Sequence, residues 1–107
     1  MPHGNSHKNN NLHHLYEITD TYENEVYKFG ISDDEIEADG LSARLRNQLS
    51  LFNILANFLR FAGRILVRDI AGRKEAERIE EEYIRRYIEQ NGKRPRGNRE
   101  RGNRVGP

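Results

Sequence analysis

The chain of 107 residues contains no cysteine. That absence excludes disulfides, thiolate metal sites and a thiol nucleophile, and it fits a reducing compartment. A long uncharged apolar run is missing as well. The most apolar stretch, Leu49 to Val67, carries Asn53, Asn57, Arg60 and Arg64, and charges at membrane depth are costly. It reads as a buried helix plus a strand, with no membrane partner expected. The opening MPHGNSHKNNN has no apolar segment of the kind a secretory signal requires, so no signal peptide is expected. Internal repeats are also lacking.

Hydrophobic residues make up 35% of the chain and charged residues 33%. This is polar for a globular protein, yet a chain of this length can bury one modest core and form one domain. The formal net charge is +1 but unevenly spread: six of the eighteen basic side chains and only one of the seventeen acidic ones fall in residues 91–107. The basic tail holds Lys93, Arg94, Arg96, Arg99, Arg101 and Arg104 against Glu100, on a net acidic body. A polyanion or an acidic partner suits such a tail.

Residues 1–11 read as a flexible leader, 12–92 as the folded domain and 93–107 as the basic tail. His13 to Thr19 alternates and is rich in β-formers, and Glu25 to Ser32 alternates in the same way; the short DTYEN turn makes them a hairpin. An acidic loop, DDEIEADG, follows. Ser42 caps a helix predicted from Ala43 to Leu59, with Leu41, Leu45, Phe52, Leu55 and Leu59 on one stripe and Gly63 breaking it. Arg64 to Ile70 reads as a short apolar strand, and Lys74 to Gln90 as a second helix stopped by Gly92. The order ββαβα predicts an α/β (α+β) domain: a small, mostly antiparallel three-stranded sheet flanked by helices.

Alternation places His14, Tyr16 and Ile18 on one face of the first strand. On the second, Val26, Lys28 and Gly30 share a face, while Tyr27, Phe29 and Ile31 share the other. With those faces aligned, the phenol of Tyr16 and the ammonium of Lys28 lie beside the bare backbone of Gly30, where an anion could approach. On the second helix, Ala76, Ile79, Tyr83, Ile84 and Tyr87 form the core stripe, and Glu80 falls inside it. A carboxylate there needs a partner: a metal, or an ion pair with Arg44 or Arg73. Arg44 flanks the apolar stripe of the first helix and can reach a cleft edge; Arg46 lies nearly opposite. A guanidinium suits phosphate.

The series LYEI, VYKFGIS, Arg44, Glu80 and the P-x-G-N of RPRGN resembles the GIY-YIG nuclease superfamily over roughly His13 to Asn98. In that resemblance Tyr16 matches the first tyrosine, Lys28-Phe29-Gly30 the second triplet with lysine in place of tyrosine, Arg44 the arginine, Glu80 the metal-binding glutamate and Asn98 the late asparagine. His14-Leu15 stands where the pattern has Gly-Ile. The leader PHGNSHKNNNLHHLYEI and the segment GRKEAERIE are similar to the C-terminal toxin cartridges of Rhs-type and related polymorphic toxins.

The resemblance implies a metal-dependent endonuclease toxin used in interbacterial competition, cutting nucleic acid, DNA in preference to RNA. It implies a secreted effector that acts in the cytoplasm of a target bacterial cell and is held in check by a cognate immunity protein. Glu80 would hold Mg²⁺ or Mn²⁺, Arg44 would stabilise charge on the phosphate, and Tyr16 would position or deprotonate the attacking water, its deprotonation eased by nearby Lys28. His14 is the substitute base. Gly30, Ser32 and Asn98 would support or position substrate, and Arg46, Arg94 and Arg96 would grip its backbone without reading sequence. The alternative is a catalytically inactive nucleic-acid-binding or protein-interaction module of the same fold.

Overall fold

Strands β1 (Leu12–Asp20) and β2 (Glu25–Ser32) pair antiparallel in a computed structural model that describes residues 11–98. The leader before Asn11, and Arg99, Glu100, Arg101 and Arg104 of the tail, lie outside the described residues. Asp20 shapes the turn: its Oδ1 accepts from the backbone N–H groups of Tyr22 and Glu23 at 3.0 and 3.1 Å, an aspartate turn that replaces backbone pairing.

The hairpin register sets Tyr16 opposite Gly30 and Ile18 opposite Lys28, and then Thr19 opposite Val26. Tyr27 is therefore one residue too many, a β-bulge. The bulge overturns part of the expected alternation. Lys28 and Gly30 do face the Tyr16 side, and Phe29 and Ile31 the other. Val26, however, packs with Phe29 and Ile31, while Tyr27 turns to the Tyr16 side, its ring edge-on to Phe52 and Phe61 at 5.5 and 5.0 Å.

Helix α1 (Ala43–Ala56) begins at Ser42, whose Oγ accepts from Leu45 N–H at 3.3 Å, while Asp34 Oδ2 accepts from Arg44 N–H at 2.9 Å. The helix ends three residues before the predicted Leu59. Asn57 adopts a left-handed φ of 66° and closes the last turn; Asn53 Oδ1 then accepts from the N–H groups of Arg60 and Phe61, which turns the chain into a strand. Gly63 thus breaks no helix. It lies inside β3 (Phe61–Ala71), opposite Ile18, where a Cβ would meet Leu45 and Leu49 at 3.0 Å. Leu41, Leu45 and Phe52 join the core as expected, but Leu55 and Leu59 are 74% and 88% exposed.

β3 pairs with the other side of β1, giving the antiparallel order β2-β1-β3. With β1 central, six consecutive residues from His13 to Ile18 are buried. Helix α2 (Arg73–Asn91) ends at Gly92, whose left-handed N–H donates to Ile88 O at 2.7 Å. The fold is α+β, in the order ββαβα. One core gathers Tyr16, Ile18 and Leu45 under α1; the other gathers Leu15, Phe29, Ile31 and Ile70 under Ala76 and Ile84 of α2, with Ile79, Tyr83 and Tyr87 beside them as the sequence stripe predicted.

A short strap closes the free edge of β2. Gly97 N–H donates to Tyr27 O at 2.7 Å, and the Asn98 amide brackets the Phe29 backbone, accepting from its N–H and donating to its C=O, both at 2.9 Å. Among the described residues no helix is long and apolar enough to cross a membrane.

Candidate active site

Tyr16 sits at the centre of β1 and is 2% exposed. Its ring lies over Gly30: a Cβ built there would stand 2.3 Å from Cζ and Oη. The space above that bare backbone is therefore taken by the phenol, where the sequence suggested room for an anion. Glycine is required by the close approach, not by an unusual backbone angle.

The phenol oxygen is held from α1: Gln48 Nε2 donates to Tyr16 Oη at 2.7 Å, and the positive charge of Arg44 lies close enough to favour the phenolate. The other end of the Gln48 amide, Oε1, accepts from Lys28 Nζ at 3.1 Å. An ammonium can only donate, which fixes the amide's orientation. The Gln48 hydrogen bond and the Arg44 charge favour the phenolate, but burial outweighs them and raises the Tyr16 pKa. The lowering influences on Tyr16 are Gln48 and Arg44, and Lys28 is linked to the phenol through Gln48.

Burial, and then the Arg44 charge, lower the pKa of Lys28, while the Glu80 carboxylate works the other way. Glu80 also bears on Tyr16, where it raises the pKa. Arg44 from α1 and Glu80 from α2 thus act on the same two strand side chains. Glu80 is half-buried on a helix whose apolar side faces the sheet. Arg73 pairs with Glu77 at 3.1 Å.

Glu80 offers the hard oxygen donor that suits Mg²⁺ or Mn²⁺. Among the described residues no three or more His, Asp or Glu converge on one metal position. A single carboxylate suits such an ion in kind and leaves the rest of its oxygen shell to come from outside the chain.

The other sequence candidates lie around this cluster. The His14 ring is 6.3 Å from that of Tyr16 and buried; desolvation lowers its pKa, with Asp34 opposing. Ser32 Oγ accepts from Asp34 N–H at 3.0 Å and holds the start of the acidic loop. Arg46 is tied to Glu37 and Asp39 of that loop at 2.6 and 3.2 Å. Asn98 is engaged with the Phe29 backbone. Arg94 lines a groove along α2 with Ile84 and Ile88. The Arg96 guanidinium stacks over Tyr27 at 5.2 Å and binds Glu25 at 2.7 Å and Asp20.

Sequence reasoning passed over two side chains. Gln48 follows Arg44 by one helical turn and so shares its face, a spacing that could have singled it out. Asp20 looked like an ordinary turn residue. It is fully buried and gathers Arg60 through two contacts at 2.9 and 2.7 Å, together with Arg96. The Arg60 hydrogen bonds hold its carboxyl well below the usual carboxylate range.

Compared with protein-family models, the chain is matched over residues 6–92 by the one described as URI fold toxin 2. No curated protein matches the chain, and no solved structure does.

Proposed function

We propose that this chain, which belongs to the URI fold toxin 2 family, is a metal-dependent endonuclease toxin that hydrolyses nucleic-acid phosphodiesters, DNA in preference to RNA. The observation that carries the reading is the phenol of Tyr16, pinned over Gly30 with the Gln48 amide on its oxygen and the Arg44 charge nearby. The family's URI fold is nuclease-like, in keeping with the resemblance of VYKFGIS and its partners to GIY-YIG enzymes.

In this reading Arg44 binds the scissile phosphate and stabilises the charge that grows on it. Arg44 is an exposed residue and can meet substrate. Tyr16 Oη holds the attacking water by hydrogen bonding; to take that water's proton as the phosphorus–oxygen bond forms, the phenol first releases its own proton to solvent and reacts as the phenolate. Gln48 orients the phenol, and Lys28, tethered to Gln48, adds positive charge beside the phosphate. Glu80 would hold the divalent ion, which when bound polarises the phosphoryl oxygen and stabilises the leaving oxygen. His14, facing the acidic loop, is the substitute base. The basic tail grips backbone without reading sequence, so binding falls steeply with salt. The chain acts as an effector in the cytoplasm of a target bacterial cell, and an acidic immunity protein covers the cationic Lys28–Arg44 side in the producer.

The test is plasmid cleavage with Mg²⁺, with and without chelator, for the wild type and Glu80→Ala. Cleavage by the wild type alone, abolished by chelation and reduced at least about 10²-fold by the substitution, is expected. Equal cleavage by both, or none on DNA and RNA alike, would sink the nuclease reading. The near-complete burial of Tyr16 and its raised pKa favour a second reading, a non-catalytic nucleic-acid-binding module. That module would retain salt-sensitive DNA binding with no metal requirement.

A further inference from the structure

The outer face of α1 breaks the pattern of a surface helix. Its inner side packs Leu45, Leu49 and Phe52 into the core. At about 100° per residue, Leu51, Ile54 and Leu55 lie in one arc on nearly the opposite side, and they are 53%, 70% and 74% exposed. The apolar face continues past the end of the helix. Phe58 and Leu59 are 48% and 88% exposed, and Tyr22, also exposed, stands edge-on to Phe58 at 5.9 Å. Six of the seven exposed large hydrophobic residues among the described residues thus gather at one end of the molecule, Leu12 being the seventh. Apolar side chains scattered singly over a surface are ordinary, but a contiguous patch marks an interaction site. A helix that is apolar all round is one that is covered all round.

The chemistry of the face narrows what covers it. No charged residue lies between Asn47 and Leu59. The face therefore offers nothing to nucleic acid or to a strongly charged partner, and it lacks the lysines and arginines that flank a membrane-surface helix. Residues 1–10 and 99–107 do not suit it either, since Met1 and Val105 are their only apolar side chains apart from proline. A second copy fits. Beside Leu55 a hollow of about 290 Å³ opens against Tyr27, Phe52 and Phe61, with Arg60 and Arg96 at its rim. Those two charges are already matched, by Asp20 and Glu25, so two copies meet without repulsion. Each copy presents both a projecting Leu59 and an apolar hollow, the reciprocity that a two-fold contact requires. The six residues expose on the order of several hundred Å², comparable with the ~800 Å² that each partner gives to a stable interface.

We propose that two copies of this chain associate through the outer face of α1, with Leu51, Ile54, Leu55, Phe58 and Leu59 of one copy packed against the same face of the other. The inference does not rest on the nuclease reading, and none of these side chains belongs to the cluster of Tyr16, Lys28, Arg44, Gln48 and Glu80.

The test is analytical sedimentation of the whole chain from about 1 µM to about 500 µM, in about 0.15 M and about 0.5 M NaCl. The mass should climb with concentration from 12.6 kDa toward twice that value, and equally at both salts, because salt does not screen an apolar contact. Ile54→Lys and Leu55→Lys should each weaken association at least about tenfold, since each sets an ammonium into the apolar interface twice per dimer. Lysine is a good helix former and both positions are exposed, so these variants keep the far-UV circular dichroism of the wild type. Leu12→Lys, at an exposed leucine away from the face, should leave association unchanged. A single-chain mass at every concentration would overturn the proposal, and binding of that single chain to phosphatidylcholine vesicles would assign the face to a membrane instead. Dimers that neither helix variant weakens, or that the higher salt dissolves, would overturn it as well.

Discussion

Replacing Gly30 by alanine tests the packing on which the candidate site depends. The new methyl would stand 2.3 Å from Tyr16 Cζ and Oη and 2.7 Å from Cε1, whereas ordinary contact begins at 3.4 Å. Ring or strand must therefore give by about an ångström. Neither yields cheaply: the ring is buried between β1, β2 and α1, and its oxygen is tied to Gln48. Overpacking of this kind costs about 1–3 kcal/mol, and a lost Gln48–Tyr16 hydrogen bond about 0.5–1.5 kcal/mol more. The sum is about 1.5–4.5 kcal/mol, at roughly 4–8 °C of Tm per kcal/mol for a domain of this size. Urea unfolding followed by circular dichroism measures it. A Tyr16→Leu background removes the Cζ and Oη atoms that clash, and there Gly30→Ala should be nearly neutral, a strong coupling of two touching residues. If Gly30→Ala lies within about 0.5 kcal/mol of wild type, or costs the same in the Tyr16→Leu background, the close-approach account is wrong. On the nuclease reading the displaced phenol also lowers cleavage about 10²-fold.

Two further outcomes follow from the network at the end of β1 and from the strap. Asp20→Asn leaves Arg60 and Arg96 without their shared carboxylate and should cost about 3 kcal/mol, the low end for a broken buried pair because Arg96 is partly solvated. The fold depresses the Asp20 pKa. Its contribution is therefore complete above the unfolded value of about 3.9 and is lost as pH falls below it; urea midpoints between pH 7 and pH 3 should drop further for wild type than for Asp20→Asn, and equal drops would refute the assignment. Asn98→Ala removes both contacts to the Phe29 backbone, at about 1–3 kcal/mol, and should speed hydrogen exchange at the Phe29 amide; unchanged exchange there would show that the strap does not hold the edge.

The sequence was legible where a period governs. Two-residue alternation marked the hairpin, and the stripe from Ala76 to Tyr87 marked α2 and the odd position of Glu80. Tyr16, Lys28, Gly30, Arg44 and Glu80 could be named in advance because each sits at a regular place in its element. Legibility failed where a single side chain redirects the backbone. The extra residue at Tyr27 leaves no trace in a pattern of aromatic and β-branched residues, since either face accepts a tyrosine. Asn57 stops α1 within a run of helix formers and apolar residues, and the turn that follows depends on Asn53 reaching Arg60 and Phe61 across the chain. Gln48 and Asp20 matter through partners 32 and 40 residues away, distances over which local spacing carries no information.

The strap along β2 also bears on where the chain can be cut. The family match stops at Gly92, yet Pro95 is buried and the three residues after it reach back to Asp20, Tyr27 and Phe29. A protein truncated after the match would keep every residue of the candidate cluster and lose the cover on its second strand. The bared N–H and C=O groups would invite pairing between molecules, so the shortened form should tend to stick to itself and precipitate, and its inactivity would say nothing about catalysis.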